Sequence, residues 1–247
     1  MASQRIGLWF IGARGGVAST ATLGLLALQR QLAGTAGLVS ELPQFARMNL
    51  APWDSFVVGG HEIRDGSIID SLARLQSDSR VLDSTLIDRC RPELEAVDTR
   101  IRSGSLANCG TTIAGLAAQS MRDRSSESAR QAIDRLQRDL REFQAAAEVE
   151  RVIVVNLAST EPANDRRVLP ERWDTLSREL EKADFQSLPA SSLYAIAALE
   201  LGMAYINFTP SLGSVPPAIQ ELAVLRRTCH AGQDGKTGET LLKSVLA

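Results

Sequence analysis

Short, unbroken apolar runs alternate along this chain with longer stretches of helix-forming composition. Arg5-Ile6-Gly7-Leu8-Trp9-Phe10-Ile11 is apolar on both alternating faces and ends at glycines, the pattern of a strand buried in a parallel sheet. Phe56-Val57-Val58, ended by Gly59-Gly60, reads as a second strand. Arg151 to Asn156 and Met203 to Phe208 read as two more, and Leu38 to Leu42 is a weaker candidate. Between them, helices are expected at Thr20 to Ala33, Ser67 to Arg74, Ser84 to Val97, Ile113 to Met121, Ser126 to Ala147 and Ser191 to Leu201. The 126–147 segment is the clearest, because Ile133, Leu136, Leu140 and Phe143 recur at spacings of three and four, with Arg and Asp opposite. Strand and helix alternate without hairpin dipeptides, which predicts an α/β fold with a doubly wound parallel sheet.

Composition narrows the function classes. The 247 residues are 44% hydrophobic, enough for a sizeable core, and 27 basic against 29 acidic side chains leave a net charge of −2. No basic stripe marks a nucleic-acid or membrane-surface binder. Cys90, Cys109 and Cys229 are scattered and lack metal-ligand spacing, which fits a reduced, cytoplasmic setting. The run Ile6 to Ile11 is too short to span a bilayer, and no secretory cleavage pattern follows it. His61 and His230 lack partners at metal spacing and read as polar turn residues, so no metal site is expected.

The candidate chemistry begins just after the first strand. Gly12-Ala13-Arg14-Gly15-Gly16-Val17 places glycines where a tight turn lets backbone N–H groups approach a pyrophosphate, ahead of a helix N-terminus. It departs from G-x-G-x-x-G/A in carrying Arg14 at the second glycine, and Arg14 could reach a phosphate or point to solvent. Spacing from the glycines favours Glu41 as the ribose acid, whereas strand quality favours Glu62. Ser159 and Thr160, after the strand ending at Asn156, could serve a nicotinamide or ribose, or cap a helix. Asn207 and Thr209 follow the last strand and could line a substrate pocket, and Pro216-Pro217 reads as rigid connector. Lys236 and Lys243 are two lysines in a chain rich in arginine, suited to acid–base work or to holding a phosphate.

Six segments, taken in order, resemble one family. His230-Ala231-Gly232-Gln233-Asp234-Gly235-Lys236-Thr237-Gly238-Glu239-Thr240-Leu241-Leu242-Lys243-Ser244 is similar to the G-D-D-x-K-S-G-Q-T-K-x-K-S signature of the myo-inositol-phosphate synthases. Leu8 to Gly16 resembles that family's cofactor loop, and Val57-Val58-Gly59-Gly60-His61-Glu62-Ile63 its V-x-G-G-x-D-I, which favours Glu62 over Glu41. Asn156 to Glu161 resembles T-A-N-T-E, Pro189 to Ala195 resembles P-S-T-L-Y-A, and Tyr205 to Pro210 resembles I-N-G-S-P.

The resemblance implies a Rossmann-like NAD-binding domain over residues 1–204 and, over 205–247, the opening of an incomplete α+β catalytic and tetramer-forming domain. It implies NAD held by Gly12, Ala13, Arg14, Gly15, Gly16, Val17, Glu62, Ser159, Thr160 and Ser192, a sugar phosphate near Asn207 and Thr209, and catalysis by Asp234, Lys236 and Lys243. The family reaction closes glucose 6-phosphate into an inositol phosphate by oxidation, enolisation, aldol closure and reduction, and the family forms homo-oligomers. Because Glu62 suits a ribose 2′-hydroxyl, NAD is expected in preference to NADP. Arg14, Gln233 and Leu241 depart from the family pattern, Leu241 standing where a lysine is expected. The family pattern continues past this motif, so an incomplete member with little or no turnover alone is expected. Another NAD-dependent sugar-phosphate oxidoreductase and a non-catalytic dinucleotide-binding module are the alternatives.

Overall fold

A computed structural model of the chain describes residues 4–122, 127–163 and 169–235. Six strands, β1 (Ile6–Ile11), β2 (Phe56–Glu62), β3 (Ile101–Ser103), β4 (Arg151–Asn156), β5 (Ala204–Asn207) and β6 (His230–Ala231), form one sheet in the order β3-β2-β1-β4-β5-β6. All neighbouring pairs are parallel. The chain starts in the middle and winds outward in both directions, so the order reverses between β1 and β4. That switch point opens a crevice at the carboxyl ends of the strands.

Helices cover both faces. On one face, α1 (Gly16–Gln29), α2 (Ile68–Ser79), α3 (Ser84–Arg89) and α4 (Arg91–Asp98) bury Leu23, Ile68, Leu72 and Leu94 against Phe10 and Val58. Two short helices, α5 (Thr111–Gly115) and α6 (Gln119–Arg122), follow β3. On the other face, α7 (Ala129–Ala146), α8 (Trp173–Leu180), α9 (Ala190–Glu200) and α10 (Pro217–Leu225) close over Trp9, Ile11, Val152 and Val154. The period-2 alternation of β1 thus feeds two cores at once. The α7 stripe Ile133, Leu136, Leu140 and Phe143 is buried as its spacing predicts, and Ser128 with Gln131 closes a capping box at its start.

Several expected boundaries move, each for a visible reason. Gly59-Gly60 does not end β2. A Cβ on Gly60 would lie 2.3 Å from the Phe10 carbonyl and 2.6 Å from Ala13 Cβ, and one on Gly59 would lie 2.9 Å from Trp9 and Phe143. These glycines let β1 and its turn pack onto β2. The 84–97 helix breaks at Cys90 because Pro92 sits in the first turn of α4. Leu38 to Leu42 contains a 3₁₀ turn at Val39–Glu41, not a strand. Pro217 opens α10, where its missing N–H costs nothing. The division expected after residue 204 falls inside β5, and the sheet continues through β6, so residues 205–231 belong to the same layered unit.

Gly60→Ala should lower the stability of the chain by about 2 kcal/mol or more, because backbone, not a flexible side chain, blocks the new methyl. Gly24→Ala, in mid-α1 with nothing within 4 Å of its Cβ position, should raise stability by about 0.5–1 kcal/mol. Urea midpoints of the two variants against the parent check both signs.

Candidate functional site

The register across the sheet lines up Ile11, His61, Asn156 and Asn207 at the carboxyl ends of β1, β2, β4 and β5. The glycine loop leaves from this row. Gly12 has φ +77°, and a Cβ there would lie 2.9 Å from the Ala158 backbone, so both conformation and space demand glycine. The N–H groups of Gly12 and Ala13 donate to the His61 carbonyl at 2.9 and 3.1 Å, and that of Arg14 to Glu62 Oε2 at 2.8 Å. Gly15 then donates to the Gly12 carbonyl and becomes the N-cap of α1, which has no side-chain cap and no acid in its first turn. The first N–H groups of a helix lack intrahelical partners, so Gly16 and Val17 are left to meet an anion.

Glu62 closes the turn from the other side. Its Oε1 accepts from the N–H groups of Ile63 and Arg64 and from Arg64 Nε, and its Oε2 from Arg64 Nη2 and the Arg14 N–H. Burial pushes its carboxyl up, but Arg64 and the backbone donors outweigh that and hold it below the usual carboxylate range. Glu41, by contrast, is exposed and takes the Trp53 indole N–H, in the stretch leading to the start of β2. The Arg14 guanidinium turns neither to the loop nor to solvent; its Nε donates to Asp98 at 2.8 Å.

Beyond β4 and β5 a second network forms. Asn156 Nδ2 donates to Asn207 Oδ1 and Thr209 Oγ1, while Asn207 Nδ2 donates to the Ser211 carbonyl. Asn207 and Thr209 are therefore buried and shape the loop after β5. Glu161 accepts from the Ser191 N–H at 2.8 Å and the Ser191 hydroxyl at 2.5 Å, capping α9, and burial pushes its carboxyl up. Ser192 is fully buried and donates to the Gly213 carbonyl. Ser159 and Thr160 are exposed. They line an open groove with Val17, Phe208, Thr209 and Asp234. Gly235 donates to the Phe208 carbonyl and so fastens Asp234 at that groove. Lys236 and Lys243 lie outside the described residues.

Sequence reasoning missed what lies beneath. His61 is a buried strand residue, not a turn residue. Trp9 Nε1 donates to its Nδ1 at 2.8 Å, which leaves Nε2 protonated and donating to Asp139 Oδ2 at 3.0 Å. Tyr194, buried, accepts the Ser105 N–H and walls the crevice with Ile63, Ile113 and Leu116. The spacing of Asp139 on the α7 stripe placed it beside the apolar face, the one signal that could have linked it to a strand. Among the described residues, no group of three His, Cys, Asp or Glu side chains could hold a metal ion, and no helix is long and apolar enough to cross a membrane.

The family model described as Myo-inositol-1-phosphate synthase, an NAD-binding model, matches residues 6–247. This chain belongs to that family. It is 31% identical over 204 residues to an inositol-3-phosphate synthase of Spirodela polyrhiza, covering 78% of this chain and 36% of that protein. With inositol-3-phosphate synthase 1 of Bacteroides thetaiotaomicron it shares 26% identity over 260 residues, all of this chain and 58% of that one. Among solved structures, the inositol-3-phosphate synthase of Caenorhabditis elegans superposes with a TM-score of 0.79 at 20% identity, over 98% of this chain and 51% of that one. A myo-inositol-1-phosphate synthase-related protein from Thermotoga maritima gives 0.67 at 22%, over 98% of this chain and 58% of that one. The chain thus spans well under two thirds of the length of these relatives. The family places NAD as the cofactor, and the two superpositions confirm the Rossmann-like fold.

Burial lowers the pKa of His61, against the opposing bond and charge of Asp139; the Arg135 and Arg102 charges lower it further. As pH falls below the unfolded value of about 6.5, the unfolded chain takes up a proton that the folded chain refuses. Stability should therefore be full above that pH and fall below it, by up to about 1.4 kcal/mol per pH unit from this group, until the folded pKa is reached. Urea midpoints at pH 7.5 and 5.5 should show that loss in the parent chain. His61→Gln should start lower and change less.

Proposed function

We propose that the chain binds NAD across the switch point and contributes to the isomerisation of glucose 6-phosphate to an inositol phosphate. The observation that carries this reading is the meeting of three segments in one groove: Val17 at the start of α1, Ser159 and Thr160 after β4, and Asp234 after β6. The glycine loop fits a pyrophosphate, because Gly12 lets the turn pass against the Ala158 backbone and the first N–H groups of α1, at Gly16 and Val17, have no capping side chain and no acid beside them. Glu62 stands at the end of β2, the place of the acid that receives a ribose, and Ser159 and Thr160 supply hydroxyl donors on the nicotinamide side. NAD, when bound, supplies the hydride acceptor that is restored at the end of the isomerisation.

Asp234 is exposed at the groove, free to accept a proton from a bound hydroxyl. Lys236 and Lys243 would follow it as cations for a phosphate or for oxyanion charge. Asn207 and Thr209 act from beneath, by fixing the backbone of the 208–211 loop. A homo-oligomer is part of the proposal, supported by Val224 and Leu225, which stand 77% and 62% exposed at the end of α10.

Gly15→Val should remove NAD binding with circular dichroism unchanged, since the new side chain crowds the Gly12 carbonyl at 2.9 Å and covers the loop N–H groups. Calorimetric titration with NAD checks it, and undiminished affinity would reduce the loop to a turn. Incubated with glucose 6-phosphate and NAD, the chain should form little or no inositol phosphate. Lys236→Ala should abolish any such turnover and Leu241→Lys should raise it, because the constellation acts as a unit. Net accumulation of NADH would instead indicate an oxidoreductase.

A further inference from the structure

The acid that reads the adenosine ribose is not free to do so alone. A carboxylate offers about four lone-pair positions. Glu62 already faces five donors at 2.8–3.2 Å: three backbone N–H groups, from Arg14, Ile63 and Arg64, and the Nε and Nη2 of Arg64. The backbone donors belong to the turn and to the end of β2, and they cannot leave without undoing both. The Arg64 guanidinium can leave. Its side chain is 35% exposed while that of Glu62 is 3% exposed, so Arg64 is the outer, solvent-facing half of the pair.

Arg64 also sits where a nucleotide would pass. Its Nη2 is 3.9 Å from the Cβ position of Gly15, at the start of α1, and Arg64 lines the crevice together with Gly12, Ile63, Ile113 and Leu116. Its backbone is tethered, since its carbonyl accepts from Arg14 Nη1 and Arg14 is itself held by Asp98. A ribose that reaches Glu62 must therefore displace the guanidinium, which then remains within its own reach of the ribose 2′ carbon. A bare 2′-hydroxyl leaves that cation to solvent. A 2′-phosphate offers the planar guanidinium two oxygens for a bidentate pair and replaces the charge of Glu62 that it gave up.

We infer that Arg64 is a specificity-determining residue: paired with Glu62, it lets the site accept NADP as well as NAD and softens the preference for NAD that Glu62 alone would impose. This rests on the reading of the crevice as a dinucleotide site. Arg14 is not the agent, because its guanidinium is committed to Asp98 on the far side of the turn.

Calorimetric titration of the full chain with NAD and with NADP decides the matter. The parent chain should bind the two within about tenfold of each other. Arg64→Ala should weaken NADP tenfold or more, the loss of one charged contact, and leave NAD unchanged or slightly tighter. Arg64→Met, which keeps the aliphatic stem over Glu62, should do the same and covers the case in which the alanine variant folds poorly. Rising salt should weaken NADP more steeply than NAD in the parent chain and lose that difference in both variants. An NADP-to-NAD ratio that neither variant changes, with NAD binding intact, overturns the role of Arg64 and spares the dinucleotide site. A parent chain that binds neither dinucleotide overturns both.

Discussion

The turn after β1 hangs on the end of β2. One carbonyl, that of His61, accepts the N–H groups of both Gly12 and Ala13, and the next side chain, Glu62, accepts that of Arg14. Three successive donors of the glycine loop are thereby satisfied inside the protein, the Gly15 N–H closes on the Gly12 carbonyl, and only then come the first N–H groups of α1, which lack intrahelical partners. None of this is possible unless the two backbones approach closely, which is why Gly60 carries no side chain and why β2 continues through it. The ring of His61 is in turn clamped between Trp9 of β1 and Asp139 of α7, so three elements agree on where that carbonyl points. A glycine loop of this kind owes its shape to the strand beside it as much as to its own glycines.

Much of this was legible in the amino-acid sequence, for physical reasons. The long apolar runs of β1 and β4 and the three-and-four spacing of α7 follow from burial on both sheet faces and from helix geometry, and both are strong periodic signals. The shorter elements were not legible. A three-residue strand such as Ile101–Ser103 carries no measurable alternation, and its strand conformation comes from its place beside β2. Gly59 and Gly60 read as a stop because glycine lowers strand propensity, yet here the need for close packing outweighs propensity. In the same way Pro216-Pro217 read as a connector, although a proline at the first helical position is well placed to begin one.

The candidate site shows the same division. Glycine loop, Glu62 and Asp234 were recognisable by motif, since backbone approach and charge demand particular residue types. Asn207, Thr209 and Ser192 were recognisable as polar residues near the site, but not as buried struts, because their hydrogen-bond partners lie on other elements. Arg64 carried no motif at all. Its importance arises only from geometry, in that two nitrogens of its side chain meet both oxygens of Glu62.

The strand that delivers Asp234 is only two residues long and, among the described residues, lies at the sheet edge, paired with Tyr205 and Ile206. The glycine loop, by contrast, leaves the most enclosed strand of the sheet. A protein opens from its rim inward, and short edge pairings exchange their amide hydrogens long before central ones. The two sides of the groove therefore differ in how long they hold: the glycine loop rests on a strand that opens only with the whole sheet, while Asp234 rests on a pairing of the kind that opens first.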